Sequence, residues 1–328
     1  MHDPNEPGPG PTPEATAVTT SIVEGLRKVF VGQDALVEGV LVAIIAGGHV
    51  LVESNPGLGK TLLVKGLARV LGLGAARVQF TPDLMPADII GSHVFNLAER
   101  RFEFRQGPVF TRFLLADEIN RSPAKTHAAL LEAMQEKQVT LDGNCYHLPR
   151  PFLVVATQNP IESEGTYQLP EAALDRFLLK LQMDYPSQQE EERIVALHLA
   201  GRSPIDEVDT LLEPVGDPDT ILRLQAAAGA VDVDPSIIAY LTAIVRGTRT
   251  HPALFLGASP RACVSLLSCA RALAILRERD YVVPDDIADM AAPVLRHRIM
   301  LTPEAEIEQR SADSIISDIV SDTSVPRT

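Results

Sequence analysis

Apolar residues recur at helical spacing over residues 21–48: Ile22, Val23, Leu26, Val29 and Phe30, then Leu36, Val40, Leu41 and Ile44. The interruption Val31-Gly-Gln-Asp34 divides them, which predicts two helices with a tight joint, the second capped by Asp34. An apolar run then enters a Gly/Pro turn, and Leu62 to Leu71 continues as a buried helix ending at Gly72 and Gly74. Arg77-Val-Gln-Phe80 reads as a short strand. Thr81 to Pro108 is irregular, and its alternating runs Val94-Phe-Asn-Leu97 and Arg101-Phe-Glu-Phe-Arg105 put Phe102 and Phe104 on one face of a hairpin. That hairpin is either a projecting functional element or a plain surface flap. Phe113 to Ala116 and Phe152 to Ala156 have the continuous apolar character of buried parallel strands. Between them, Ser122 is expected to cap a helix starting at Pro123 with the stripe Ala129, Leu130, Ala133 and Met134, and Asp142-Gly-Asn144 marks a second hairpin. Leu169 to Phe177 reads as a short helix and Leu178 to Met183 as the last strand.

Alternating strands and helices of this kind give a parallel α/β sheet. From Tyr185 onward the pattern is purely helical. Ser187-Gln-Gln-Glu190 forms a capping box, Asp234-Pro235 and Ser259-Pro260 open two helices, and Asp285 and Asp286 open another that Pro293 kinks or ends. The expected organisation is a flexible Pro/Gly-rich leader over residues 1–17, an α/β domain over 18–185, and a smaller all-helical domain over 186–328.

Composition narrows the function classes. With 29 Lys+Arg against 43 Asp+Glu, the net charge of −14 disfavours bulk nucleic-acid binding, and no dense basic run departs from it. Three cysteines without a C-x-x-C pair supply neither a disulfide framework nor a zinc site, which points to a reducing compartment, the cytoplasm. The most apolar window, Val40 to Val52, is broken by Gly47, Gly48 and His49 and falls short of a membrane span. The eight histidines are scattered without an i, i+4 pair, so no metal site is expected from them.

The chemistry concentrates at strand ends. Asn55-Pro-Gly-Leu-Gly-Lys-Thr61, between the apolar run Val50 to Val52 and Leu62, has the form of a phosphate-binding loop. A chain turning through Pro56, Gly57 and Gly59 into a helix at Lys60 aims several backbone N–H groups at one point. Lys60 would reach the β and γ phosphates of a nucleotide and the Thr61 hydroxyl would ligate Mg²⁺. The pattern G-x-x-x-x-G-K-[ST] is met except at its first glycine, which is Ser54. Phe113-Leu-Leu-Ala-Asp-Glu118 ends in two carboxylates, Asp117 to hold the Mg²⁺ water shell and Glu118 to orient an attacking water. Asn159, ending the next strand, either bridges that water and the γ phosphate or begins an ordinary Asn-Pro turn.

Taken in order, these segments resemble an AAA+ ATPase, and more narrowly the MoxR family. The resemblance rests on the phosphate loop, Ala116-Asp-Glu-Ile-Asn-Arg-Ser-Pro-Ala-Lys125, Leu130-Leu-Glu-Ala-Met134, Ala156-Thr-Gln-Asn-Pro160, Glu164-Gly-Thr-Tyr167, Leu169-Pro-Glu-Ala-Ala-Leu-Asp-Arg-Phe177, Gly257-Ala-Ser-Pro-Arg-Ala262 and Arg296-His-Arg-Ile299, and it runs from about Val18 to the end. It implies a homo-hexameric ring with ATP and Mg²⁺ at subunit interfaces. Within it Asn55, Pro56, Gly57, Leu58, Gly59, Lys60, Thr61 and Leu62 would contact nucleotide, and Val31 and Gly32 would cradle adenine. Asp117 and Glu118 would be the Walker B acids and Asn159 the first sensor. Arg176 matches the arginine finger that reaches a neighbour's site, although on residues alone it could pair with Asp175 or Glu171 on its own helix. Arg261 matches the second sensor; the second position of a helix is unfavourable for a cation, which suggests a ligand role. The family implies chaperone-like remodelling of a protein client, with a von Willebrand A domain-type partner. A magnesium-chelatase-like or nucleic-acid-translocating motor on the same ring is the alternative, against which the acids Glu99 and Glu103 interleave with Arg100, Arg101 and Arg105 on the first hairpin. A switch that binds ATP without turnover is disfavoured by the presence of both Glu118 and Arg176.

Overall fold

The computed structural model describes residues 13–27, 29–30, 32–55, 57–160, 167, 169–199 and 204–326. Two helices open it, α1 (Pro13–Arg27) and α2 (Asp34–Ile45), so the first begins inside the segment read as a leader. Asp34 does not cap α2. The N-cap is Gln33 in a left-handed conformation, and Asp34 is the first helical residue, paired with Arg27 at 3.4 Å. The chain continues through β1 (Val50–Ser54), α3 (Lys60–Val70), β2 (Ala75–Gln79), α4 (Pro86–Ile90), and the hairpin of β3 (Gly91–Asn96) and β4 (Arg101–Gln106). Next come β5 (Phe113–Asp117), α5 (Ala124–Glu136), the hairpin of β6 (Gln138–Leu141) and β7 (Asn144–His147), β8 (Leu153–Gln158), α6 (Glu171–Leu174) and β9 (Leu179–Met183).

Strands β2, β5, β8, β1 and β9 form one parallel sheet in that order. Both faces are covered, as expected of a parallel sheet. Val50 and Val52 of β1 and Leu153 and Val155 of β8 face one apolar cluster, shared with α1, α2 and α3. Leu51, Val154 and Ala156 face the other, built with α5 and Phe177. The register places Gln79 beside Asp117 and Glu53 beside Gln158, so the C-terminal strand ends form one continuous edge. Ser122 is fully buried but leaves its hydroxyl without a partner, and Pro123, not Ser122, is the N-cap of α5. The Ser122 cap expected from sequence is therefore absent.

The second half comprises α7 (Gln188–Leu199), α8 (Pro204–Leu211), α9 (Pro218–Ala230), α10 (Pro235–Gly247), β10 (Leu254–Leu256), α11 (Pro260–Leu276), α12 (Pro284–Leu295), β11 (Met300–Leu301), α13 (Pro303–Ile307) and α14 (Ala312–Asp322). It is not purely helical, because β10 and β11 pair as a short antiparallel ribbon. The Ser187–Glu190 capping box forms, with Ser187 N–H donating to the Glu190 carboxylate at 2.8 Å. Asp234 accepts from Ser236 N–H at 2.7 Å, whereas Ser259 occupies the N-cap of α11 without a side-chain bond. Pro293 falls in the last turn of α12, which ends two residues later. The helices α9 and α11 pack on α2, and one apolar cluster runs from α2 and α3 into them. The helical half is thereby seated on one face of the sheet domain.

Candidate functional site

The strand β1 runs buried to Ser54, and α3 begins at Lys60. Gly57 and Gly59 both take left-handed backbone angles, φ 84° and 87°, which permits the tight turn and which other residues resist. A methyl at Gly57 would have nothing within 4 Å, so the loop is open to solvent at that position. Lys60 is half-buried and has no carboxylate partner among the described residues. An unpaired lysine at the N-terminus of a helix adds its charge to the positive end of the helix dipole, a combination suited to an anion. Thr61 begins the helix beside it, while Leu58 and Leu62 pack against the apolar cluster and anchor the loop. Ser54, standing where the pattern has glycine, is buried with its hydroxyl unpartnered. Pro56 and Val31 lie outside the described residues. Gly32 is left-handed at φ 75°, and the Glu190 carboxylate sits where a side chain on it would go, so the first turn of α7 closes over this turn.

Across the strand edge, Asp117 is buried at 6 % exposure at the end of β5. Its Oδ1 accepts from the Thr157 hydroxyl at 2.6 Å and its Oδ2 from Arg77 at 2.7 Å. Thr157 Oγ1 in turn accepts the Glu118 backbone N–H at 2.9 Å. Glu118 has φ 56°, a left-handed conformation costly for a residue with a Cβ, and this turn swings its side chain out of the strand direction. Its carboxylate accepts from Gln79 at 2.7 Å and Arg121 at 3.0 Å. Beneath the turn, the buried His127 ring donates to the Ile119 carbonyl. Asn159 follows β8 at 5 % exposure, and the Asn120 amide donates to its carbonyl at 3.4 Å while the Asn120 Oδ1 stays buried without a partner. Thr157, Arg77, Gln79 and Arg121 were not foreseen as site residues.

On the same edge Lys180 of β9 pairs with Glu53 of β1 at 2.9 Å, and Gln158 donates to the same carboxylate oxygen at 2.8 Å. Burial alone would raise the Glu53 pKa, but the Lys180 charge and the hydrogen bonds from Lys180, Gln158 and Gln182 bring it below the usual value. This pair borders a cleft of about 900 Å³ that also reaches Asn120, Asn159, Ser259 and Arg298.

Arg176 pairs with neither Asp175 nor Glu171. It donates to Gln135 Oε1 at 3.1 Å and to the Ala172 carbonyl at 3.0 Å. Arg261, whose position suggested a ligand role, has a structural partner: Asp175, at 3.1 Å. The structure therefore gathers Arg176 and Arg261 around α6, and no hydrogen bond or ion pair among the described residues joins either to Asp117 or Glu118. Left-handed glycines, Lys60 and the Thr61 hydroxyl, neither with a hydrogen-bond partner among the described residues, and Asp117 on one strand edge form a donor and acceptor set that fits a nucleotide phosphate chain with a hard divalent cation.

Comparison with known proteins is consistent across most of the chain. Residues 49–179 match the ATPase family associated with various cellular activities (AAA), and residues 246–319 match the AAA lid domain. The uncharacterized protein YeaC of Bacillus subtilis is 47% identical over 93% of both chains. Chaperone MoxR1 of Mycobacterium tuberculosis is 43% identical over 92% of this chain and 81% of its own. A crystal structure of a protein from Cytophaga hutchinsonii superposes with a TM-score of 0.87 at 38% identity, covering 96% of this chain and 97% of that one. Among the described residues no helix is long and apolar enough to cross a membrane.

Proposed function

Because the chain belongs to the MoxR family of AAA+ ATPases, we propose that it binds ATP with Mg²⁺ at the C-terminal edge of its sheet, hydrolyses it, and uses the turnover to remodel or mature other protein complexes. The observation that carries the reading is the placement on one edge of Lys60, without a carboxylate partner among the described residues, at a helix N-terminus and of Asp117 and Glu118 at the end of β5. Lys60 and the loop amides bind the β and γ phosphates. Thr61 and Asp117 would hold Mg²⁺, which supplies charge neutralisation between the phosphates. Glu118, beyond the end of β5, takes the proton of the attacking water, and Asn159 orients that water against the γ phosphate. Gly32 and Val31 flank the base.

Phosphoryl transfer spreads charge onto equatorial oxygens and calls for a fixed cation. Arg176 supplies it, in this reading, to the neighbouring subunit of a homo-hexameric ring, and Arg261 adds a second from the lid domain. The partner class is a protein with a von Willebrand A-like domain, the client is a protein complex, and the compartment is the reducing cytoplasm, which agrees with three unpaired cysteines. Release of phosphate from Mg·ATP tests the core claim directly. Wild-type protein should turn over and Lys60→Ala should neither bind nor hydrolyse ATP; hydrolysis by Lys60→Ala at the wild-type rate sinks the reading.

A further inference from the structure

The arginine proposed to act on a neighbouring site is carried by a very short element. Helix α6 spans Glu171–Leu174, and Arg176 follows in the turn that leads into β9. A four-residue helix cannot hold a side chain in place by its own hydrogen bonds, so the turn must be fixed from outside.

Its fixture comes from the lid domain. Arg298, just beyond α12, has a side chain only 3 % exposed. Its Nε donates to Asp175 Oδ1 at 2.9 Å, its Nη1 to the Leu178 carbonyl at 3.1 Å, and its Nη2 to the Phe177 carbonyl at 2.7 Å. A further Nη1 bond to the Val294 carbonyl and an Nη2 bond of 3.4 Å to Ser265 tie the guanidinium back to α12 and α11. The His297 ring N–H reaches the Phe177 carbonyl as well, at 3.0 Å. Asp175, Phe177 and Leu178 are thus all gripped by one lid segment, and Arg176 is the residue they enclose. Asp175 takes a second lid arginine, Arg261, on its other oxygen.

Burying a guanidinium carries a desolvation cost, and an apolar side chain of similar volume would commonly serve stability as well or better. What an apolar replacement lacks is direction, because the planar fork fixes three backbone and side-chain acceptors at set angles. We propose that Arg298 is a positioning residue for Arg176: it locks the backbone of the turn after α6 to the lid, so that the lid sets where on the surface Arg176 is offered to the neighbour. This rests on the reading of Arg176 as acting between subunits.

The test uses the full-length chain and Arg298→Gln. Nucleotide affinity, followed by a fluorescent ATP analogue, should stay within about twofold of wild type while turnover falls at least about tenfold. The double variant with Arg176→Ala should be no slower than Arg176→Ala alone, and adding Lys60→Ala subunits, which carry intact Arg176 and Arg298, should restore turnover to Arg298→Gln. Wild-type turnover, a loss that adds to that of Arg176→Ala, or a loss of nucleotide affinity overturns the proposal. Should Arg298→Gln fail to fold, Arg298→Lys, which keeps the charge but loses the planar fork, is read for the same outcomes. If Arg176→Ala itself is not rescued by Lys60→Ala, the between-subunit reading falls, while non-additivity still decides the positioning role.

Discussion

At the scale of single residues, the acids at the end of β5 were readable because an apolar run terminated by two carboxylates has few other uses. Their supports were not. Thr157 lies 40 positions from Asp117 and Arg77 another 40 in the opposite direction, and only the strand order places all three side by side. Gln79 had a signal of sorts, as the last residue of a strand whose neighbour ends in the acids. Glu118→Gln keeps the shape and the bond from Arg121 but removes the base, so it should bind ATP as wild type does and stall. Isothermal calorimetry paired with phosphate release checks this; normal turnover would remove Glu118 from the mechanism. Thr157→Val is the sharper case. Its hydroxyl both donates to Asp117 and accepts from the Glu118 amide, so the isosteric valine leaves two buried groups unsatisfied, at a cost of about 1–3 kcal/mol. We expect a lower midpoint in urea and a turnover loss of about tenfold or more without loss of the phosphate loop's grip on ATP. An unchanged rate would make Thr157 merely part of the core.

At the scale of elements, the sheet was legible from continuous apolar runs, and both hairpins from alternation around Asp142-Gly143 and between Val94 and Arg105. Their packing on each other was not, since it depends on the Phe104 ring stacking on Tyr146 at 4.1 Å and on His93 pairing with Asp142, contacts between hairpins some 40 residues apart. The same face continues to Phe95 and Phe102, which meet edge-on yet remain exposed at the tip. Helix caps were misjudged where a side chain had a competing partner, as with Asp34, or was sequestered beneath the fold, as with Ser122. His49 is another element-level device that periodicity hides. At the entry to β1, its ring donates to the Met134 carbonyl of α5 and accepts the Val154 N–H of β8, so both nitrogens are used only in the neutral form. Burial foremost, helped by the Lys137 charge and opposed by the Met134 bond, lowers its pKa to about 4 from 6.5. Between those values the unfolded chain holds a proton that the folded chain excludes. Stability should therefore be complete above about pH 6.5 and decline as pH falls toward 4, by up to about 3 kcal/mol. Urea titrations across that range should show the decline in wild type and a flatter limb in His49→Asn; parallel limbs would mean other groups set the acid response.

At the scale of the whole molecule, the chain separates the parts of one chemistry. Lys60, Asp117 and Glu118 lie on the sheet edge, while Arg176 and Arg261 are held around α6 by Gln135 and Asp175 with no bond to those acids. On the proposed function, a folded monomer so arranged would present a phosphate site without its transition-state cation and a cation without its phosphate. Closed rings with head-to-tail interfaces resolve this, because each subunit offers both surfaces to different neighbours. From that geometry Arg176→Ala should bind ATP yet keep only a small residual turnover, about a hundredfold or more below wild type, while Lys60→Ala should neither bind nor hydrolyse ATP. Mixed in equal amounts and allowed to exchange, a pocket works when its own subunit keeps Lys60 and the adjoining one keeps Arg176. Random mixing meets that condition at about a quarter of the interfaces, so turnover should recover to about a quarter of wild type. The rate plotted against mixing ratio should rise and fall with its maximum near equal proportions. A line that never rose above the residual rate of Arg176→Ala would mean that Arg176 serves its own pocket or none, and a rate rising in proportion to one variant's fraction would mean that this variant was never inactive.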